Sequence, residues 1–401
     1  MICRICDSED LELVIDLGLQ PWCNHFLTKD EIGKEPYYPL RVLFCKNCST
    51  AQLDYTVAKE IMFGNHTYLS GITKSLSAHF EQIATEADEK LCQGKTDKWV
   101  LDIGSNDGTQ LKHFLKLGYH VVGVESSTTT AKMANDAGVF TINEFFNNDL
   151  VKKYHYEQKF DLINAAGVFF HLEELHSVTK GIKEALKKDG TFIVQFLYMK
   201  RIIENNAFDQ IYHEHLLYYT LKTIEILLNR HGLSMYDAYV SPIHGGSVIG
   251  YITHQGSKEA SEALTKLKQQ EDDDQTNTIE TYQDFYKRIQ QMKLDNLAYL
   301  SKAKAEGKTI YGMGAPVKGN TMLNYFGADS KYIDCLLEKN TLRKGLYAPG
   351  THLPIIMEDE AEKIPDIYYV LAWNFKKEIL ANNRHLIEKG VEFYFPVDPK
   401  E

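Results

Sequence analysis

Apolar and polar positions along this chain fall into short apolar runs of strand character separated by stretches of helical period, most regularly over residues 99–196 and again over 308–395. The run 99–108, WVLDIGSNDG, is apolar until it meets an acid and then two glycines. That pattern predicts a buried strand, a tight turn and the start of a helix. A second apolar run, 119–124, ends on Glu125 and completes a β-α-β unit. Helices over 129–137, 149–154 and 172–187 then alternate with a short strand or loop over 141–145 and strands over 160–165 and 191–196. Such alternation predicts a mostly parallel, doubly wound sheet. An amphipathic helix over 72–91 precedes it and is placed to cover one edge of the ligand site at the carboxyl ends of the strands.

Strands over 11–17 and 38–44 are expected near the N-terminus. Beyond the central unit come a helix over 221–231 stopped by Gly232, a strand over 233–240, the turn His244-Gly245-Gly246-Ser247 and an alternating strand over 248–253. A charged helix over 278–306 carries an apolar stripe that includes Ile279, Tyr282, Phe285, Ile289 and Met292, the signature of a connecting helix packed on one face. Strands over 309–311, 332–337, 367–372 and 393–395, with a helix over 375–389, then form a second Rossmann-type unit. A length of 401 residues suits this division, and the expected fold class is α/β. We expect a small N-terminal domain over 1–70, a central Rossmann-like domain over 71–240 and a C-terminal Rossmann-like domain over 241–401.

Composition narrows the function. Hydrophobic and charged fractions of 44% and 25% are those of a soluble globular protein. No apolar run approaches the roughly 20 residues of a membrane span, and MICRICDSED has no signal-peptide core, so a cytoplasmic protein is expected. A net charge of −11 disfavours general nucleic-acid binding and leaves room for a local basic pocket.

Four of the seven cysteines form two C-x-x-C turns, Cys3 with Cys6 and Cys45 with Cys48. Two thiolates from each turn complete a closed tetrahedral Zn²⁺ site that stabilises folding and has no open position for catalysis. The loop Asp102-Ile103-Gly104-Ser105-Asn106-Asp107-Gly108 lacks the middle glycine of the dinucleotide fingerprint, which disfavours a nicotinamide oxidoreductase. The acid before Gly104, with Glu125 placed to hold ribose hydroxyls, resembles the S-adenosylmethionine (SAM) motif of class I methyltransferases. Residues 208–220, FDQIYHEHLLYYT, are dense in tyrosine and ionisable groups. In an extended segment His213 and His215 share a side, whereas in a helical turn Tyr212 and His215 meet. A catalytic pair, an H-x-H metal half-site and satisfied surface histidines all fit that pattern. Gly312, Gly314 and Gly319 allow close backbone approach beside Lys318, and Arg343 and Lys344 add cations suited to a pyrophosphate.

Taken together, the paired C-x-x-C, DIGSNDGT, IYHEH, HGGS, YG-x-x-A-x-x-KGN-x-x-LNY and PGTHLPI resemble the SAM-dependent sugar C-methyltransferases along essentially the whole chain. Those enzymes methylate a ring carbon of nucleoside-diphosphate keto-deoxysugars. The resemblance implies that His215 is the general base, with Tyr212 its partner, Glu214 beside them and Tyr68 closing the site. Asp102, Gly104 and Glu125 match SAM-binding positions, and Asn106, Gly108, Ser126 and Gly167 are the neighbouring cofactor candidates. A nucleotide-sugar substrate would meet His244, Gly246, Tyr311, Lys318, Asn320, Asn340 and Lys344. The chain departs from the family at Ala166-Gly167, where an asparagine pair is usual, at Gln195 in place of Glu, and at His66 in place of Tyr. O- or N-methylation of a nucleotide sugar and a non-catalytic binding role are the alternatives that the same motifs allow.

Overall fold

The computed structural model describes residues 1–63, 71 and 74–398, so Tyr68 and His66 lie outside the described residues. The N-terminal strands β1 (Leu11–Pro21), β2 (Tyr37–Cys45) and β3 (Ala51–Leu53) pair antiparallel in that order. One C-x-x-C turn precedes β1 and the other joins β2 to β3, so the thiols converge at one end of this sheet.

The central domain runs through β4 (Trp99–Ile103), β5 (His120–Val124), β6 (Thr141–Ile142), β7 (Phe160–Ala166) and β8 (Leu186–Leu197), with helices between. The two-residue strand β9 (Leu217–Tyr218) then leaves this domain to pair with β3 and becomes the fourth strand of the N-terminal sheet. A hairpin of β10 (Leu233–Ser241) and β11 (Ser247–His254) returns to the central sheet, with β11 antiparallel to β8. The resulting order is β10-β11-β8-β7-β4-β5-β6. The strand order reverses beside β4, and ligands of doubly wound sheets bind at that point, outside the carboxyl ends. Ser247–His254 therefore belongs by hydrogen bonding to the central sheet.

Beyond the helix Ile279–Ala305, five parallel strands follow: β12 (Ile310–Met313), β13 (Cys335–Glu338), β14 (Ile355–Met357), β15 (Ile367–Val370) and β16 (Glu392–Tyr394). Their order is β14-β13-β12-β15-β16, and the first loop repeats the hydrogen bonding of the central domain. Gly104 N donates to Val124 O at 2.8 Å and Asn106 N to Glu125 Oε2 at 2.8 Å. In the second unit Gly314 N donates to Leu337 O at 2.9 Å and Ala315 N to Glu338 Oε2 at 3.2 Å. One apolar core runs from Val14 in the N-terminal sheet through Ile163 and Phe196 to Leu336 and Trp373, so the three sheets share buried surface.

Local departures from the expected elements have identifiable causes. The helix expected over 172–187 is Leu175–Ala185, because β8 begins at Leu186 and carries Asp189-Gly190 inside it. A Cβ on Gly190 would lie 2.8 Å from Leu186 Cδ1 and 3.0 Å from Phe160 O, so only glycine fits there. The expected helix over 375–389 breaks at Asn383 into Lys376–Asn382 and Arg384–Ile387. Among the described residues, no helix is long and apolar enough to cross a membrane.

Candidate functional site

The turn after β4 is shaped by residues that tolerate left-handed backbone: Gly104, Asn106 and Gly108 have φ of 69°, 52° and 74°. A Cβ on Gly104 would approach Val168 Cγ2 to 2.5 Å, so glycine is required on steric as well as conformational grounds. Glu125 ends β5 and grips the turn with both oxygens, accepting from Asn106 N and from Ser127 N at 2.8 Å each. Asp102 is buried beneath the turn, and burial, with Glu125 nearby, pushes its carboxyl well above the ordinary range. Ser126 O accepts from Asn143 Nδ2 at 3.0 Å, and Gly167 (φ 73°) hydrogen-bonds through its N–H to Gln195 O at the end of β8. All seven cofactor candidates thus cluster at the carboxyl ends of β4, β5 and β7. At the Gln195 position, Oε1 is paired with His79 Nε2 at 2.8 Å.

Residues 211–215 form a turn in which His215 N donates to Tyr212 O at 2.9 Å, and the two rings pack at a tilt of 38° with centroids 3.8 Å apart. This selects the turn reading of the segment over the extended one. His215 is buried, and its Nδ1 lies 2.7 Å from Gln210 O. A nitrogen facing a carbonyl must carry the proton, so Nδ1–H donates and Nε2 keeps its lone pair. Burial, then His171 and His244, depress the imidazole well below its usual pKa. His171, which sequence reasoning passed over, stands with its ring 5.1 Å from that of His215 and its Nδ1 2.6 Å from Glu214 O. Its signal was position alone, at the end of the loop after β7. The Glu214 carboxylate accepts from Trp22 Nε1 at 2.8 Å. His213 points elsewhere, edge-on to Tyr38, and burial lowers it to about 4.

The substrate candidates divide into two groups. His244 and Lys318 gather near His215: His244 is lowered to about 4 by burial and then by Lys318 and His79, and it acts in turn on His215. Lys318 Nζ sits 3.5 Å from Asp209 Oδ2 and 3.7 Å from the Trp373 ring centroid. Gly246 (φ 126°) packs against Arg201, where a Cβ would come within 2.7 Å of Arg201 Cβ. Asn320 is buried and donates from Nδ2 to Cys23 O at 2.7 Å, joining the C-terminal and N-terminal domains. The others are not brought to His215. Tyr311 packs with Cys335 and Tyr368 on the outer face of its sheet, and Asn340 caps the turn Thr341–Arg343 by accepting from Leu342 N. Lys344 is exposed and paired with Glu360. Arg343 is the inward cation, bonded to Glu338 and to Ala315 O and lying over Phe26.

The four thiols of Cys3, Cys6, Cys45 and Cys48 all lie within 4.8 Å of one another, with Cys3–Cys48 and Cys6–Cys45 at 3.5 and 3.6 Å. Four ligands at a Zn–S bond length of about 2.3 Å stand roughly 3.8 Å apart in a tetrahedron, so the cluster fits zinc. Thr50 Oγ1 at 3.0 Å from Cys48 and Asn47 Nδ2 at 3.4 Å from Cys6 supply outer hydrogen bonds to the sulfurs.

Comparison with known proteins bears on the whole chain. Family models match residues 3–63 as a zinc binding domain, 77–238 as a methyltransferase domain and 242–398 as a C-methyltransferase C-terminal domain. The C-methyltransferase NovU of Streptomyces niveus is 30% identical over 400 residues, covering 98% of this chain and 95% of that protein. The chain belongs to the C-methyltransferase family. Partial likenesses among solved structures include the PH0226 protein of Pyrococcus horikoshii OT3, at 16% identity over 47% of this chain and 95% of that one, TM-score 0.38. Another is the plantazolicin methyltransferase BpumL in complex with SAH, at 16% identity over 44% of this chain and 83% of that one, TM-score 0.36. The C-methyltransferase is SAM-dependent, and the glycine-lined turn after β4 with Glu125 beside it fits that cofactor.

Proposed function

We propose that this C-methyltransferase acts on the ring carbon beside the ketone of a nucleoside-diphosphate keto-deoxysugar, with His215 as general base. The observation that carries the reading is the Nδ1–H contact to Gln210 O, which leaves Nε2 as a lone-pair acceptor on a buried, neutral imidazole. Methylation at carbon needs a carbanion equivalent, and a C–H beside a ketone yields one to a positioned histidine. The proton moves to His215 Nε2, and the enolate carbon takes the methyl. Bound SAM supplies that methyl as an electrophile. Tyr212, packed against the base, would donate a hydrogen bond from its hydroxyl to the developing enolate oxygen. Glu214 would fix the turn and hold the local charge, and Tyr68 remains the candidate for closing the site. Lys318 and His244 would meet the acceptor from the C-terminal side, with the three domains divided over 1–70, 71–240 and 241–401.

The test is transfer from SAM labelled with ¹³C in its methyl group to a panel of nucleoside-diphosphate keto-deoxysugars. The reading expects the label in a product carbon–carbon bond, seen as a C-methyl resonance. A label found on oxygen or nitrogen would overturn it.

A further inference from the structure

The segment 208–215 carries the base, yet both of its buried carboxylates are held from outside the central domain. Asp209, fully buried, accepts a 2.7 Å hydrogen bond from Trp373 Nε1, which follows β15 in the C-terminal domain. Glu214, also buried, accepts a 2.8 Å hydrogen bond from Trp22 Nε1, just after β1 in the N-terminal domain. The chain has three tryptophans, and the remaining one, Trp99, donates its indole N–H to the nearby exposed Asp97.

An indole N–H donates and cannot accept, so each bond has a single direction and a narrow geometry. A carboxylate withdrawn from water depends on its protein donors, and displacement from them is costly. Between the two anchored acids lies Gln210, whose carbonyl accepts from His215 Nδ1 and whose Nε2 donates to His244 O at 3.0 Å. The residue that orients the base is therefore adjacent in sequence to one anchored acid, and His215 is adjacent to the other. Gly245 reinforces the C-terminal anchor, since a Cβ there would lie 2.8 Å from the Trp373 ring. The Glu214 main chain is fixed as well, by His171 Nδ1 on its carbonyl.

We infer that Trp22 and Trp373 are positioning residues that act through Glu214 and Asp209 on the orientation of His215, so that the two outer domains together set the base. This rests on His215 being the base of the proposed reaction. Interdomain packing alone predicts something different: loss of an indole N–H would lower stability and leave the imidazole where it is.

The test uses the full-length, zinc-loaded protein as parent, Trp22→Phe and Trp373→Phe, since phenylalanine keeps an aromatic ring and deletes the N–H. The first readout is the His215 Nδ1–H resonance in ¹⁵N-histidine-labelled protein, assigned with His215→Ala. The second is deuterium wash-in from solvent at the α-carbon of a nucleoside-diphosphate 4-keto-6-deoxyhexose without SAM. We expect zinc content and the SAM dissociation constant to stay within about twofold of the parent, because the two indole N–H groups bond Glu214 and Asp209 and neither a zinc-cluster cysteine nor a residue of the Gly104 turn. The resonance shifts or broadens in each variant, and wash-in falls roughly 10- to 100-fold. An unmoved resonance in either variant overturns the proposal for that tryptophan, whatever happens to stability. Wash-in that survives in His215→Ala overturns the base assignment instead, and the resonance still decides whether the indoles orient the ring. If Trp373→Phe does not fold, Asp209→Asn weakens the same anchor from the acceptor side and is read in the same way.

Discussion

An imidazole in water is half protonated near pH 6.5, whereas His215 sits among Phe170, His171 and Tyr212 with little water to stabilise the cation. As the proposed base, His215 works only when neutral, so the depressed pKa keeps it competent as the pH falls through the usual histidine range. The kcat profile is accordingly expected to show no acidic limb near 6.5; a fall in kcat centred there would contradict the buried-base geometry. The same burial affects stability. His213, almost fully buried, is lowered to about 4 in the folded state, so between 4 and 6.5 the unfolded chain binds more protons than the folded one. This contribution is complete above 6.5 and lost on acidification, by about 3 kcal/mol at pH 4. Denaturant melts at pH 7.5 and 5 check this, with the lower pH giving the lower midpoint. At this scale the sequence brought out Tyr212, Glu214 and His215 because they lie close together in IYHEH. Trp22, His171, Asp209 and Trp373 were not legible, because their partners are distant in the chain and no local spacing marks them.

The turn after β4 was legible because glycines at positive φ leave a mark in the sequence. Gly104→Ala must place a Cβ 2.5 Å from Val168 Cγ2 in a left-handed conformation that itself costs about 1–2 kcal/mol. The SAM dissociation constant should rise roughly tenfold or more by calorimetry. Val168→Ala in addition should recover only part of it, since the backbone strain remains. Elements too short to show periodicity were not legible. β3 and β9 have three and two residues, yet their pairing, together with Leu53 N donating to Leu216 O, joins the sheet beside the zinc cluster to the residues directly after His215. Arg230 strengthens the link, bonding Asp7 and Ile5 O next to the first C-x-x-C turn. Removal of zinc, or Cys48→Ser, should therefore lower the melting temperature by about 5 °C or more and slow methyl transfer. SAM affinity should hold, because the Gly104 turn belongs to a different sheet; a preparation that loses zinc and keeps full activity would contradict this coupling.

Over the whole molecule, the alternating pattern gave the two Rossmann-type units and the paired C-x-x-C gave the metal centre, because each rests on local periodicity or spacing. The way the three sheets meet depends on long-range contacts: Asn320 with Cys23, Glu35 with His352 at 2.6 Å, Leu27 with Tyr347, and β9 crossing from one domain to another. Those contacts bring residues of all three domains to His215, so the proposed acceptor site lies between domains while the cofactor turn belongs to one. The measurement that bears most directly on this account is deuterium wash-in at the carbon beside the ketone of a nucleoside-diphosphate keto-deoxysugar, with SAM withheld. The account predicts wash-in by the parent and its loss, by at least about 100-fold, in His215→Ala, with SAM binding retained. Wash-in at the parent rate in His215→Ala, or methyl transfer to carbon by an enzyme that shows no wash-in, would contradict it.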